Sequence, residues 1–244
     1  MSTPTALVTG ASRGLGAVLA RRLAADGWAV AVNYAASAEA AETVVAEIRE
    51  AGGTAAAFRA DVTDEMAVHA MVAAVEAELG PVQVLVVNAT GPQPLVGVTE
   101  LTWDDHLDQL RFFVLSPTLL VQATLPGMRR LGGGRVIQIG SDVVDRALPT
   151  MSAYTAAKAA QAGLTRCWSR ELGPYGITVN QVAPGWIPVE RHEGVETADY
   201  QADVPLGRMG TPDDIAGLVC YLASDQAGFV TGQQISVNGG HTLD

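Results

Sequence analysis

Residues 6–16 read Ala6-Leu7-Val8-Thr9-Gly10-Ala11-Ser12-Arg13-Gly14-Leu15-Gly16. A short apolar run ends in a glycine-rich turn, and the turn opens a stretch with helical spacing that continues to Ala25. That is a strand, a tight connection and a helix. Glycines there let the backbone bend sharply and approach a ligand closely. The helix start offers unpaired N–H groups and the positive end of a dipole. The pyrophosphate of a dinucleotide suits that place in a doubly wound α/β fold. The spacing is Gly-x3-Gly-x-Gly, not Gly-x-Gly-x2-Gly, and a glycine-rich turn alone also serves as a plain βα connection.

Outward from this unit the pattern repeats. Strands are expected at 6–9, 28–32, 54–60, 82–88, 135–139, 178–182 and 234–237. Helices are expected at 14–25, 39–51, 64–79, within 103–131, at 152–172 and at 212–223. The strands are continuous apolar runs, as strands buried on both faces should be. The alternation implies right-handed βαβ units. The expected architecture is a Rossmann-like, doubly wound parallel sheet of about seven strands with helices on both faces, one domain over residues 1–244. One segment breaks the rhythm. Residues 184–205 hold Pro184, Gly185, Pro188 and several acids but few apolar anchors. A loop of that length is usually functional or mobile.

Composition narrows the function classes. The chain has 244 residues, 48% hydrophobic, with a net charge of −11. An acidic chain without a Lys/Arg cluster argues against a nucleic-acid partner. No run of about eighteen apolar residues marks a spanning helix. Met1 to Thr5 lead straight into the first strand without a basic, then apolar, leader pattern. A cytoplasmic protein with no membrane partner is the expectation. Cys167 and Cys220 sit in apolar helical patterns and read as small core residues, not as a disulfide or metal pair.

Chemistry is carried by Ser141, Tyr154 and Lys158. Tyr154 and Lys158 are four apart, so they share one helix face. A fixed ammonium lowers the pKa of a neighbouring phenol, which is ordinarily near ~10. That brings the phenol toward the range useful for acid–base work. A serine hydroxyl can hold a carbonyl or alcohol oxygen against the tyrosine. A Tyr-x3-Lys pair alone is a weak signal; its position after a fifth strand gives it weight.

The cofactor end is read from the strand ends. The second strand closes at Asn33-Tyr34, followed by Ser37. An acid there would grip a ribose 2′-hydroxyl; none is present. Asn33 and Ser37 can donate to a 2′-phosphate, and Arg13 adds a positive charge, so NADP(H) is favoured over NAD(H). Arg13 also reads as a solvated loop charge. Asp61-Val62 and Asn88-Ala89 stand at the carboxyl ends of the third and fourth strands, where ligands of such folds collect. Asp61 can accept from an adenine amino group or cap the next helix, a role open equally to Asp64.

With these pieces in order, the chain resembles the short-chain dehydrogenase/reductase family over essentially its whole length. It looks most like the 3-oxoacyl-(acyl-carrier-protein) reductase type. The carrying residues are Thr9 to Gly16, Asp61, Asn88-Ala89, Ser141, Tyr154, Lys158 and Pro184-Gly185, with Gly207 to Ala216 and Val237 to Gly240. The resemblance implies NAD(P)-dependent interconversion of a ketone and a secondary alcohol on a small-molecule substrate. It makes Tyr154 the acid/base, has Lys158 hold the ribose hydroxyls, and has Ser141 orient the substrate oxygen. It implies cofactor contacts from Gly10, Ser12, Arg13, Gly14, Leu15, Gly16, Asn33, Tyr34, Ser37, Asp61, Val62, Asn88, Ala89, Tyr154 and Lys158. Pro184, Gly185 and Ile187 would border the nicotinamide, and residues 186–205 would form a substrate lid. A homo-oligomer, tetramer or dimer, would pack through the helices at 103–131 and 152–172.

Three departures stand out. Asn88-Ala89-Thr90-Gly91 carries an extra residue before the glycine. The family's fourth catalytic residue, an asparagine, falls at Phe113, whose ring cannot hold a proton-relaying water; Gln109 or Ser116 are candidate substitutes. Val189 stands where the family often has a threonine touching the cofactor amide. These motivate two further readings: a dinucleotide-binding protein with weak or altered chemistry, and the same reaction run as an NAD dehydrogenase. The lid holds Arg191 and His192 as its only basic candidates for an acidic carrier protein.

Overall fold

A computed structural model describes residues 3–243; Met1, Ser2, Asp244 and the side chain of Arg191 lie outside that description. The chain begins β1 (Thr5–Val8), α1 (Gly14–Ala25), β2 (Ala29–Tyr34), α2 (Ala38–Glu50), β3 (Thr54–Arg59), α3 (Glu65–Glu78) and β4 (Val82–Val87). A long helical stretch follows: α4 (Trp103–Leu110), a π turn (Arg111–Leu115) and α5 (Ser116–Leu131). Then come β5 (Gly134–Ile139), α6 (Val143–Arg146), α7 (Ser152–Leu172) and β6 (Ile177–Pro184). The chain closes with α8 (Ala198–Asp203), α9 (Pro212–Ala223) and β7 (Gln234–Val237).

The seven strands form one parallel sheet in the order β3-β2-β1-β4-β5-β6-β7. Apolar strands buried on both faces need cover on both faces. Leu19, Leu23, Val45, Ile215 and Leu222 of α1, α2 and α9 pack on one side. Met71, Val75, Leu120 and Met128 of α3 and α5 pack on the other, around Leu7 and Leu85. Strand order reverses between β1 and β4, so a crevice opens there at the carboxyl edge, where such sheets bind ligands.

The expected long helix within 103–131 is present but widened at its middle. The N–H of Ser116 bonds to the carbonyl of Arg111, five residues back. Pro117 explains why. It has no N–H for the carbonyl of Phe113, and its ring crowds that carbonyl, so a regular turn is unfavourable there. The segment 184–205 is less irregular than expected, since it carries a 3-10 turn at Glu190–His192 and the short helix α8. Of the two cysteines, Cys167 is not a core residue, whereas Cys220 packs against the core beneath α1, α2 and α9. Cys167 is exposed and Cys220 only half-buried, and both are free. α7 buries the stripe Ala157, Lys158, Gln161, Ala162 and Thr165, which leaves Cys167 on the outer face. No helix among the described residues is long and apolar enough to cross a membrane.

Leu85 is fully buried in a central strand. Leu85→Ala should destabilise by about 3 kcal/mol through lost transfer energy and the cavity left behind. Met66 is 81% exposed, so Met66→Ala should stay within about 0.5 kcal/mol of wild type. Denaturant midpoints of the two variants check this.

Candidate active site

A cleft of about 1340 Å³ runs along the carboxyl edge of the sheet, from Ser37 and Asp61 at one end to Ser141, Tyr154 and Tyr200 at the other. It exceeds the ~300–1,000 Å³ of an ordinary ligand pocket, so it has room for an extended dinucleotide and a second molecule. All the residues singled out for the cofactor line it: Gly10, Ser12 to Gly16, Asn33, Tyr34, Ser37, Asp61, Val62, Asn88, Ala89, Pro184, Gly185 and Ile187.

The glycine loop is tied down by hydrogen bonds. Asn88 Nδ2 donates to the carbonyls of Thr9 and Gly10 at 2.9 and 3.3 Å. Thr9 Oγ1 accepts from the N–H groups of Asn88 and Ala89 at 2.9 and 3.0 Å. Gly10 and Gly14 have φ of +62° and +56°, which side chains rarely adopt. A Cβ on Gly16 would run into the Gly10 carbonyl and the Asn88 amide. The loop is thus a fixed concavity at the start of α1, and these residues fit a pyrophosphate.

At the outer end the structure gives Asn33 a different role. Asn33 is 1% exposed. Its amide donates to the carbonyls of Phe58 and Ala60 at 3.3 and 3.2 Å, and its Oδ1 accepts from Gly10 N at 3.1 Å. Both amide hydrogens are used, so Asn33 braces the loop and has none left for a phosphate. Ser37 makes no cap bond at the start of α2, although it stands at the cap position. Arg59, which the sequence reading missed, fastens the turn after β2 through Nε to the Ala35 carbonyl at 3.2 Å. Asp64 caps α3 through Ala67 N at 2.8 Å, while Asp61 Oδ1 accepts from Thr63 N and Oγ1 at 2.9 and 2.7 Å.

At the reactive end, β5 stops at Ile139, and Ser141 follows with Oγ accepting from Val143 N at 3.2 Å. α7 supplies Tyr154 and Lys158 one turn apart. Lys158 is 4% exposed; Nζ donates to the Ile139 carbonyl at 2.7 Å and to Gln161 Oε1 at 3.3 Å. Burial brings its pKa down to about 7. Phe113, from the π turn, is 2% exposed and meets both catalytic candidates. Its ring centroid is 3.9 Å from Lys158 Nζ and 5.4 Å from the Tyr154 ring, edge to face. Neither candidate substitute is hydrogen-bonded to Lys158, whose Nζ donates to Ile139 and Gln161. Gln109 Nε2 is committed to the Pro92 carbonyl at 2.9 Å, and Ser116 Oγ is buried without a partner. Gly91 accommodates the changed segment after β4, since a Cβ there would strike the Phe112 ring.

Beyond Ser141 lies a polar group that sequence reasoning missed. Asp142 is 2% exposed, and burial raises its carboxyl pKa against the pull of Arg146 and His241. His241 Nδ1 stands 3.7 Å from Asp142 Oδ2. Tyr200 of α8 stacks on His241 at 4.5 Å, lies beneath the Arg146 guanidinium at 4.9 Å, and accepts from Trp186 N at 2.7 Å. Four distant segments build this wall, and no local spacing announces it. The segment after β6 also reaches the glycine loop: a Cβ on Gly14 would lie 3.7 Å from Val189 Cβ and 3.6 Å from Glu190 Oε2. Among the described residues no cluster of His, Cys, Asp and Glu could hold a metal ion.

The Asn33 geometry is testable. Asn33→Asp would point a buried carboxylate at two carbonyl oxygens, so it should destabilise the fold by about 3 kcal/mol or more. A thermal melt checks this; wild-type stability would show that Asn33 is free.

The comparisons agree with this geometry. A family profile described as Enoyl-(Acyl carrier protein) reductase matches residues 10–242. The 3-oxoacyl-(acyl-carrier-protein) reductase FabG of Staphylococcus aureus (strain Mu50 / ATCC 700699) is 42% identical, over 98% of each chain. Among solved structures, a blue fluorescent protein from a metagenomic library in complex with NADPH superposes with a TM-score of 0.92 at 38% identity, covering 99% of each chain. A gluconate 5-dehydrogenase from Burkholderia cenocepacia J2315 in complex with NADP and tartrate gives 0.91 at 32%, covering 99% of this chain and 96% of that one. A glycine loop braced at the β1/β4 reversal, a Ser-Tyr-Lys group lining the same cleft and these full-length likenesses lead to one assignment: the chain belongs to the short-chain dehydrogenase/reductase family and is a dinucleotide-binding oxidoreductase.

Proposed function

We propose that the protein is an NADPH-dependent carbonyl reductase that interconverts a ketone and a secondary alcohol. The observation that carries this reading is the continuity of one cleft from the glycine loop to Ser141, Tyr154 and Lys158. Bound NADPH would supply the hydride. The protein's own residues then handle the oxygen and its proton. Ser141 Oγ donates to the carbonyl oxygen and stabilises the charge that develops there. Tyr154 gives its phenolic proton to the same oxygen. Lys158, four residues on, stabilises the phenolate left behind. Gly10 to Gly16 would hold the pyrophosphate, Asp61 and Val62 the adenine side, and Pro184, Gly185 and Ile187 the nicotinamide side.

The preference for NADP rests on the end of β2. No acid stands there to repel a 2′-phosphate. Ser37 has its hydroxyl uncommitted as a cap, and Arg13 lines the same cleft. A 3-oxoacyl thioester, the substrate in the name of the Staphylococcus relative, is within the proposed class. Residues 186–205 act as the substrate lid of a single 1–244 domain. The working form is a cytoplasmic homo-oligomer, tetramer or dimer. Phe113 favours a second reading, a dinucleotide-binding protein of weak chemistry, because its ring cannot relay a proton.

Purified protein mixed with NADPH and a ketone panel that includes a 3-oxoacyl thioester should consume the reduced cofactor. Tyr154→Phe should lower kcat by about 10²–10⁴-fold while NADPH still binds. Tight NADPH binding without turnover on any ketone would favour the second reading. Arg13→Ala and Ser37→Ala should each weaken NADPH binding about tenfold, a loss of about 1.4 kcal/mol, and leave NADH binding unchanged. Fluorescence titration of the two cofactors decides this, and a wild-type preference for NADH would refute the assignment.

A further inference from the structure

The three hydrogens of the Lys158 ammonium need three partners. Two are oxygens, the Ile139 carbonyl at 2.7 Å and Gln161 Oε1 at 3.3 Å. The third side lies over the face of Phe113, 3.9 Å from the ring centre. Gln161 Oε1 also accepts from Gln181 Nε2 at 3.3 Å, which leaves the amide little freedom to turn away. The edge contact with Tyr154 fixes the phenol beside the same ring. Phe113 therefore occupies the side of the Lys158–Tyr154 pair that faces the long helix, and its ring offers no donor or acceptor there.

We propose that Phe113 is a positioning residue: its ring face holds Lys158 in the charged form, and the pair exchanges protons through the cleft and not through the helix behind it. The inference rests on the carbonyl-reductase reading for its kinetic arm only. The proton balance is simple. The phenolic O–H bond of Tyr154 breaks as the alcohol O–H bond forms. The phenolate remains beside the ammonium, and a cleft water restores its proton. An aromatic face attracts a desolvated ammonium strongly. It thereby opposes the loss of charge that burial favours. Around Lys158 stand the Ile139 carbonyl of β5, Gln181 of β6, Tyr154 and Gln161 of α7, and Phe113. Of these only Tyr154 titrates, and no charged side chain among the described residues shifts Lys158.

The test compares wild type with Phe113→Leu, which keeps bulk without a ring face, and Phe113→Tyr, which keeps the face. Without the face Lys158 loses its proton at lower pH. In Phe113→Leu the alkaline limb of ketone reduction, which reports loss of the Tyr154 proton, should then move up by about one pH unit, with a lower plateau kcat because the phenolate forms beside a neutral amine. The ionisation of Tyr154 is read as the tyrosinate absorbance missing from Tyr154→Phe, in protein loaded with NADP+. It should move up in Phe113→Leu, because its neighbour is now neutral. Phe113→Tyr should keep both wild-type midpoints. A loosened site that merely admits water would keep Lys158 charged and leave the Tyr154 midpoint unmoved or lower, and that result in a folded Phe113→Leu overturns the proposal. Should no ketone be reduced, the titration alone decides, and the failure counts against the reductase reading instead. Should Phe113→Leu not fold, the wild-type midpoint decides: Tyr154 ionising below the ordinary ~10 supports a charged Lys158, and at or above it contradicts one.

Discussion

A lysine ammonium kept almost wholly out of water is the constraint on which this site depends. Burial disfavours its charge, so the surroundings must either compensate that charge or surrender it. β5 ends where its last carbonyl can accept from Nζ, at Ile139. α7 presents Lys158 inward beneath Tyr154, with Gln161 one turn further on. The π turn brings the Phe113 ring over the remaining side. Each element arrives for a separate local reason, and all of them meet at the same ammonium.

The other half of the cleft is governed by backbone polarity. The glycine loop at the β1/β4 reversal would leave carbonyl and N–H groups unpaired if it were not braced. Asn88 and Thr9 pin it to β4, and Asn33 pins it to β2 and the end of β3. Those bonds leave the helix start of α1 facing the cleft. A pyrophosphate there meets donors already oriented, which lowers the ordering that binding requires. The two ends thus use opposite strategies. One offers unpaired donors to an anion; the other hides a cation.

Much of this was legible in the sequence because the signals are local. The glycine loop follows an apolar strand directly, and Ser141, Tyr154 and Lys158 sit at spacings that a strand end and one helix turn translate into proximity. The substitution at Phe113 was legible too, and Pro117 was the overlooked sign that the helix would widen there. Asn33 was misjudged because its position at a strand end suggested a ligand. Its role depends on two carbonyls of the neighbouring strand's end, which no periodicity reveals. The Asp142, Arg146, Tyr200 and His241 wall draws on segments about a hundred residues apart in sequence, so only the folded chain brings it together. Cys167 shows the limit of pattern reading: an apolar helix still has an outer face.

The central claim is that one cleft carries hydride from the dinucleotide to a carbon while Tyr154 supplies the proton to its oxygen. Isotopic labelling tests it most directly. Reduction of a ketone with C4-deuterated NADPH in ordinary water should give an alcohol with one deuterium on the carbinol carbon. Unlabelled NADPH in D2O should give none there. Solvent deuterium on that carbon, or cofactor consumption without alcohol, would contradict the account.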